Sequence, residues 1–174
     1  MADLKLGESV EYDENDFWIE GDILVKYYGS AEDVVIPSCV KIIGDYSFGG
    51  CQNIKSVKIN DGVTQIKARA FENCYSLKAL FIPDSVVFLG AGALKCCTSL
   101  ERLRLSSYLT EISSEAFMAC VALKFVYLPD GIKKVGRYAF YGCKCLERIA
   151  CNKPLSSIEA GDGAYKECPK LRYE

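Results

Sequence analysis

One unit of the sequence, residues 128–148, reads LPDGIKKVGRYAFYGCKCLER, and its pattern recurs every 23 residues along most of the chain. The recurrence is clearest in three columns of equivalent positions. The first column holds Phe48, Phe71, Leu94, Phe117 and Phe140. The second holds Cys51, Cys74, Cys97, Cys120 and Cys143. The third holds Ile54, Leu77, Leu100, Leu123 and Leu146. Self-similarity at a fixed period of this length indicates stacked structural repeats.

Each unit contains two local periods. Around Val57 and Ile59 apolar and polar residues alternate, which predicts a short strand with one buried face. From Ile66 to Cys74 the apolar residues have the spacing i, i+4, i+5, i+8, which predicts one or two turns of helix. A turn rich in proline and aspartate connects the two, most clearly at Pro83–Ser85 and Pro129–Gly131.

A single unit of this size cannot bury its own apolar face, whereas stacked copies bury it in one continuous column. The sequence therefore predicts six stacked rungs over residues 34–174. At a strand spacing of ~4.8 Å the stack is roughly 25–30 Å long. The sixth rung carries two extra residues, which we place near Glu159 to Gly163, so that Ile158 follows Val135 in the column that begins with Ile43.

These units resemble the BspA-like (treponemal-type) leucine-rich repeat, whose signature is a proline turn, Ile-Gly, Ala-Phe and then Cys-x-x-Leu. The segments 77–82 and 100–105 match its L-x-x-L-x-L core, and the resemblance covers about residues 17–174. It implies an α/β repeat solenoid, a right-handed superhelix with a concave parallel β-sheet and short convex helices. It also implies a non-catalytic interaction or adhesion module, since members of the family are commonly cell-surface or secreted proteins.

The two ends of the repeat array differ from its middle. Residues 1–33 carry ten acids and two lysines, a net charge of −8. Within them, two apolar segments flank Gly21–Asp22, which predicts a β-hairpin that caps the first rung. We expect residues 1–33 to form this acidic lead-in and cap. After the sixth rung no cap is expected, so its strand edge could pair with a second copy of the chain.

The composition excludes several kinds of chemistry. The 174 residues include no histidine, which removes Ser-His-Asp and Cys-His catalytic arrangements and histidine-ligated metal sites. Of ten cysteines, six share one column and the rest scatter, with no C-x-x-C spacing. We therefore predict buried structural thiols, with no catalytic residue, cofactor or metal. A thiol-based enzyme, which would need an exposed cysteine of low pKa, remains an alternative.

The predicted binding surface consists of the strand residues on either side of the buried position, which point outward on the concave face. Aromatic and arginine side chains of this kind dominate protein–protein interfaces. We therefore expect a protein partner, with a glycan or polyanion as the alternative. The predicted partner-binding residues are Lys58, Phe81, Arg102, Arg104, Phe125, Tyr127 and Arg148. A second candidate surface lies on the expected helical side, at Tyr46, Tyr75, Tyr138 and Tyr141.

The charge distribution bears on the choice of partner. Residues 34–174 contain 19 basic and 13 acidic residues, and no run of five basic residues occurs. Nucleic acid is therefore a disfavoured partner. No run of 18 apolar residues occurs either, so membrane insertion is not expected. Localisation stays open: the absence of a signal sequence and the many free thiols fit the cytoplasm, whereas the resemblance implies the cell surface or secretion.

Overall fold

The computed structural model describes residues 16–172, which form a β-solenoid of about six turns with parallel sheets. It begins with a hairpin, in which β1 (Phe17–Glu20) and β2 (Ile23–Tyr27) pair antiparallel across Gly21 and Asp22. The predicted hairpin is therefore present. Residues 1–15 of the predicted acidic lead-in lie outside the described residues, and a capping role for residues 1–33 stays a prediction.

Each rung contributes a three-residue strand and then a two-residue strand. The three-residue strands are β3 (Asp33–Val35), β5 (Ser56–Lys58), β7 (Ala79–Phe81), β9 (Arg102–Arg104), β11 (Phe125–Tyr127) and β13 (Arg148–Ala150). The two-residue strands are β4 (Ile42–Ile43), β6 (Gln65–Ile66), β8 (Phe88–Leu89), β10 (Glu111–Ile112), β12 (Lys134–Val135) and β14 (Glu159–Ala160). Equivalent strands of neighbouring rungs pair in parallel, except between β8 and β10 and between β9 and β11, and β2 joins the second set by pairing with β4.

The core is a stack of equivalent side chains. Phe48, Phe71, Phe117 and Phe140 are fully buried, as the 23-residue columns predicted. The rings of Phe48 and Phe71 stack with centroids 4.9 Å apart, and those of Phe117 and Phe140 at 5.2 Å. Such ring pairs add attraction beyond the area that they bury. The repeat period thus places identical residues one above another, where they supply each other's packing.

The short helices expected after each turn are absent, because no α-helix occurs among residues 16–172. Consecutive tight turns take their place. In every rung two residues, four positions apart, have φ between +54° and +78°, which a right-handed helix cannot contain. These residues are Tyr46 and Gly50, Arg69 and Asn73, Gly92 and Cys96, Glu115 and Ala119, Tyr138 and Gly142, and Gly163 and Glu167.

Hydrogen bonds between rungs hold these turns together. The amide of Cys120 donates to the Phe117 carbonyl three residues earlier, at 3.1 Å, within its own turn. The amides of Phe117 and Ala119 instead donate to carbonyls of the next rung, at 2.8 and 2.7 Å. These turns place residues four positions apart on the same side of the chain, and residues on one face of a helix have the same spacing. The turns therefore produce the apolar pattern from which we predicted a helix.

The extra residues of the sixth rung lie earlier than predicted. Tyr127 pairs with Ala150, 23 residues on, but Lys134 pairs with Glu159, 25 residues on. The insertion therefore falls within residues 151–158, where a 3-10 helix forms at Leu155–Ser157. Ala160, rather than Ile158, is in register with Val135. Ile158 is nonetheless buried, because its side chain still packs into the core before the strand begins.

Candidate functional site

The first and third residues of the three-residue strands form a surface that we call the outward strip. Its two columns are Asp33, Ser56, Ala79, Arg102, Phe125 and Arg148, and Val35, Lys58, Phe81, Arg104, Tyr127 and Ala150. All seven predicted partner-binding residues lie on this strip and are exposed. The exposed fractions of Phe81, Phe125 and Tyr127 are 53, 48 and 42%. The middle residue of each strand packs against the core, which fixes the outward direction of its neighbours.

Strand register decides which of these side chains become neighbours. Lys58, Phe81 and Arg104 are directly in register on β5, β7 and β9. Phe125 is in register with Arg148 on β11 and β13. Because neighbouring strands lie ~4.8 Å apart, each aromatic ring on the strip has a cation on an adjacent strand. The register therefore alternates aromatic rings with basic side chains along the axis of the solenoid.

The outward strip is interrupted between the fourth and fifth rungs. The described strands of this face form one sheet of four and another of two, and no ladder pairing joins β9 to β11. Leu103, the middle residue of β9, is only partly buried. A crevice of about 400 Å³ opens at this break. It is lined by Leu103, Arg104, Leu105, Ser107, Tyr127, Pro129 and Asp130.

Asp84 contacts Arg104 and Ser107, two of the residues that line the crevice. Asp84 accepts hydrogen bonds from the amide and the hydroxyl of Ser107, at 2.9 and 3.0 Å. Its other oxygen lies 3.1 Å from the Arg104 guanidinium. The two Ser107 hydrogen bonds, assisted by Arg104, lower the pKa of Asp84 below its usual value. Asp84 thus orients Arg104 at the mouth of the crevice.

A second aspartate has the equivalent position on the fifth-rung side. The hydroxyl of Tyr127 lies 3.4 Å from Asp130, which also accepts a hydrogen bond from the Asn152 amide at 3.2 Å. Partial desolvation of Tyr127, together with the Asp130 carboxylate, raises the pKa of that phenol. The sequence analysis did not single out Asp84, Asp130 or the crevice. The replacement of the turn proline by Ser106 in the fourth rung is no signal for the crevice, because two other rungs also lack this proline.

The outward strip is basic. It holds four cations, Lys58, Arg102, Arg104 and Arg148, and one carboxylate, Asp33, which accepts a hydrogen bond from Ser56 at 2.5 Å. Within residues 16–172, Lys58 and Arg102 lie in no ion pair. Exposed charges of one sign on a single face raise the local concentration of oppositely charged ligands.

The cysteine column has a structural role. Five of the six thiols in this column donate a hydrogen bond to a carbonyl of the preceding rung, such as Cys97 to Phe71 at 3.2 Å and Cys143 to Phe117 at 3.1 Å. Burial raises the pKa of Cys74 to about 12 and holds that of Cys97 well above its usual value. A buried, protonated thiol is a poor nucleophile.

Within residues 16–172 the cysteines form no disulfide, and the hydrogen bond between Cys143 and the partly exposed Cys168 lowers the pKa of the Cys168 thiol. All ten cysteines are free thiols. Across residues 16–172, no group of three or more cysteine and carboxylate side chains is arranged to hold a metal ion. The same residues contain no helix of the length and apolar character needed to cross a bilayer.

In the second candidate surface, on the turn side, two of the four tyrosine rings are partly covered by arginine side chains. Tyr46 lies under the Arg69 guanidinium at 5.5 Å, and Tyr138 under that of Arg137 at 4.6 Å. Tyr138 also packs edge-on against Tyr141, with centroids 5.5 Å apart. Arg69 and Arg137 cover one face of Tyr46 and of Tyr138, whereas Tyr75 is 41% exposed, so the turn side retains accessible aromatic surface.

Comparisons with known proteins agree with this architecture. The profile of the BspA type leucine rich repeat region matches residues 25–147 and 110–173, with six copies. The leucine-rich repeat protein of T. pallidum has 25% identity and a TM-score of 0.78, over 93% of this chain and 91% of that one. No functionally curated protein gave a significant match.

Two longer bacterial proteins are also similar. A leucine-rich repeat protein from Eubacterium ventriosum has 30% identity and a TM-score of 0.64, over 84% of this chain and 46% of that one. The pneumococcal vaccine antigen PcpA has 28% identity and a TM-score of 0.64, over 70% of this chain and 31% of that one. The chain thus corresponds to less than half of either of these two structures.

Proposed function

Because the chain belongs to the BspA-type leucine-rich repeat family, we propose that it binds a protein partner through the outward strip and serves as a non-catalytic interaction or adhesion module. Repeat proteins of this family generally act in protein interaction or adhesion and are generally non-catalytic. The observation that carries the assignment to the outward strip is the exposure of three large aromatic side chains beside basic residues of neighbouring strands. Phe81, Phe125 and Tyr127 have no packing role that would require them there.

The packing of the strands supports this assignment. In β11 the core position is filled by Val126, which is fully buried, while both of its neighbours are aromatic and exposed. Exposed aromatics next to arginines are the residue types that contribute most to protein–protein binding energy.

A glycan or another polyanion is the second candidate ligand, and the four cations of the outward strip support it. Binding that depends mainly on these charges would weaken steeply with added salt. Binding carried by aromatic contacts would be much less sensitive. The interleaving of aromatic rings with the cations favours a protein, and a salt titration of the measured affinity separates the two candidates.

The proposal is tested with a double substitution, Arg104→Ala with Tyr127→Ala. The protein partner is first isolated with the intact chain, and its affinity for each variant is measured by biolayer interferometry. We expect at least a tenfold loss of affinity, with the melting temperature within a few degrees of the unsubstituted protein, because both side chains are exposed.

The matched control removes one aromatic residue and one base from the turn side, Tyr75→Ala with Lys144→Ala. Both residues are exposed and three rungs apart in one column. The control should leave the affinity within about twofold of its original value. An unchanged affinity in the Arg104 and Tyr127 variant would place the binding surface elsewhere. A loss confined to the control would assign it to the turn side.

A further inference from the structure

We infer that the segment bound by the outward strip is an extended acidic peptide that inserts one apolar or aromatic side chain into the crevice between β9 and β11. This inference rests on the proposed function and names the chemistry of the partner. It depends on three observations: the sign of the charge on the strip, the position of the crevice within it, and the pairing of the Asp84 carboxylate with Arg104.

The charge on the strip selects an acidic ligand. Four of its twelve side chains are cations, and its single carboxylate, Asp33, lies on β3 at the far end from the crevice. Lys58 and Arg102 lie in no ion pair within the described residues, so their charge is available to a ligand. A neutral or basic peptide would leave these charges without partners, whereas a peptide with carboxylates would complement them.

The crevice supplies an anchor point within this charged surface. Leu103, Leu105 and Pro129 provide the apolar part of its lining. A volume of about 400 Å³ falls within the range of pockets that enclose small ligands, so it can accept one large side chain. Arg104 and Tyr127 stand on opposite sides of the opening, on β9 and β11. An apolar group in the crevice would therefore lie between a cation and an aromatic ring, as binding hot spots often do.

The two carboxylates near the crevice differ in how they affect an acidic ligand. The charge of Asp84 is offset by the Arg104 guanidinium, 3.1 Å away. Asp130 accepts hydrogen bonds from the neutral side chains of Tyr127 and Asn152, so it keeps its negative charge. The other three cations of the strip outnumber Asp33 and Asp130, so the net field that a ligand meets is positive.

The dimensions of the strip set the length of the peptide. Six strands at a spacing of ~4.8 Å span roughly 24 Å, and an extended chain rises ~3.3 Å per residue. A peptide of about eight residues therefore covers the whole strip. The crevice lies between the fourth and fifth of the six strands. The anchoring side chain is consequently expected at about the third residue from one end of such a peptide.

The test uses a fluorescein-labelled octapeptide with four glutamates and one phenylalanine, third from one end, and an analogue in which glutamine replaces each glutamate. Binding to the full chain is followed by fluorescence anisotropy at fixed ionic strength. We expect the glutamate peptide to bind at least tenfold more tightly than its analogue. The variant Arg102→Gln with Arg104→Gln should lose at least tenfold in affinity for the glutamate peptide. The matched control, Lys41→Gln with Lys133→Gln, removes two exposed charges outside the strip and should change the affinity by less than twofold.

The anchor is tested in the same assay with alanine in place of the phenylalanine of the peptide. A loss of at least fivefold, absent when Tyr127→Ala is the protein used, would support insertion at the crevice. Three results would overturn the inference: equal binding of the glutamate and glutamine peptides, no binding of the glutamate peptide, or displacement of it by a sulfated oligosaccharide that binds more tightly. Equal binding that Tyr127→Ala abolishes would still leave the outward strip as a protein-binding surface. Peptide binding that no strip substitution alters would overturn the proposed function as well.

Discussion

The inward and outward positions of the same strands differ in how much the residue type varies from rung to rung. At the inward positions, residue type hardly changes from rung to rung. All six are aliphatic, and all but Leu103 are buried: Val34, Val57, Leu80, Leu103, Val126 and Ile149. At the outward positions the backbone geometry repeats equally well, but the side chains do not. One outward column changes from Lys58 to Phe81 to Arg104 across three paired strands.

This difference separates the requirements of folding from those of recognition. A stacked fold needs each inward side chain to match the ones above and below, which produces uniform columns. No such packing requirement applies to the outward positions. The residue types there can therefore vary according to the ligand that the protein binds. The uniform columns are therefore where substitutions should reduce stability, and the varied columns are where they should reduce binding.

The largest effect on stability should come from one inward phenylalanine. Phe117 is fully buried and stacks on Phe140, so Phe117→Ala should reduce the free energy of unfolding by ~3–5 kcal/mol. The comparison is Phe125→Ala on the outward strip, which should cost less than ~1 kcal/mol. Urea denaturation followed by circular dichroism measures both. Similar losses in the two variants would remove the distinction between the two faces.

A smaller loss is expected within the cysteine column. Cys120 is fully buried and its thiol donates to the Leu94 carbonyl at 3.2 Å. Cys120→Ala should therefore cost roughly 1–3 kcal/mol through a cavity and a lost hydrogen bond. Cys39→Ala, at an exposed thiol, should be close to neutral.

In the native protein a thiol reagent should modify Cys39 quickly and Cys120 only on unfolding. Rapid labelling of Cys120 would mean that the column is accessible.

The turn side allows a test in which the same pair of residues gives effects of opposite sign. Gly142 and Ala119 occupy equivalent positions with φ of +71° and +59°. Gly142→Ala should cost about 1 kcal/mol, because a side chain disfavours this conformation. Ala119→Gly should be neutral or stabilise by a few tenths, since relief of strain is partly offset by the greater freedom of glycine in the unfolded chain. A loss of stability in both variants would argue against left-handed turns at these positions.

The smallest effect concerns the pH dependence of stability. The pKa of Asp84 is lowered in the folded protein, so the unfolded chain binds this proton more tightly. Its contribution to stability is present above pH ~4 and is lost as the pH falls through the folded pKa. Asp84→Asn should therefore reduce the difference in melting temperature between pH 5 and pH 3. A difference that is identical in the two proteins would mean that Asp84 has no favourable partners in the folded state.

Much of this architecture could be predicted from the sequence, because a repeat displays the same packing problem six times. The period, the core columns and the outward strip all follow from positions such as Phe117 and Val126, whose burial each neighbouring copy supports. The turns were mistaken for helices because their side chains share the same spacing. Eight of the twelve left-handed positions are not glycine, as at Arg69 and Glu115, so the usual signal for such turns was missing.

The crevice and the position of the insertion could not be predicted, because both depend on how neighbouring rungs contact each other. The crevice forms where β9 and β11 lie side by side without pairing. The sequence does not mark this rung, because Ser106 replaces its turn proline but Asn60 and Asn152 do the same in the second and sixth rungs. The insertion was misplaced because Ile158 stays buried, which preserved the apolar pattern across the true position of the extra residues. A single rung read in isolation contains neither piece of information.

The most direct test of the division between the two faces is an exchange of residues along one outward column. Phe81→Arg combined with Arg104→Phe preserves composition and charge while changing the order of the side chains on the strip. The free energy of unfolding and the affinity for the isolated protein partner are measured on the same preparation. The account predicts a stability change under ~1 kcal/mol and at least a tenfold loss of affinity. Retained affinity, or a loss of stability above ~2 kcal/mol, would contradict it.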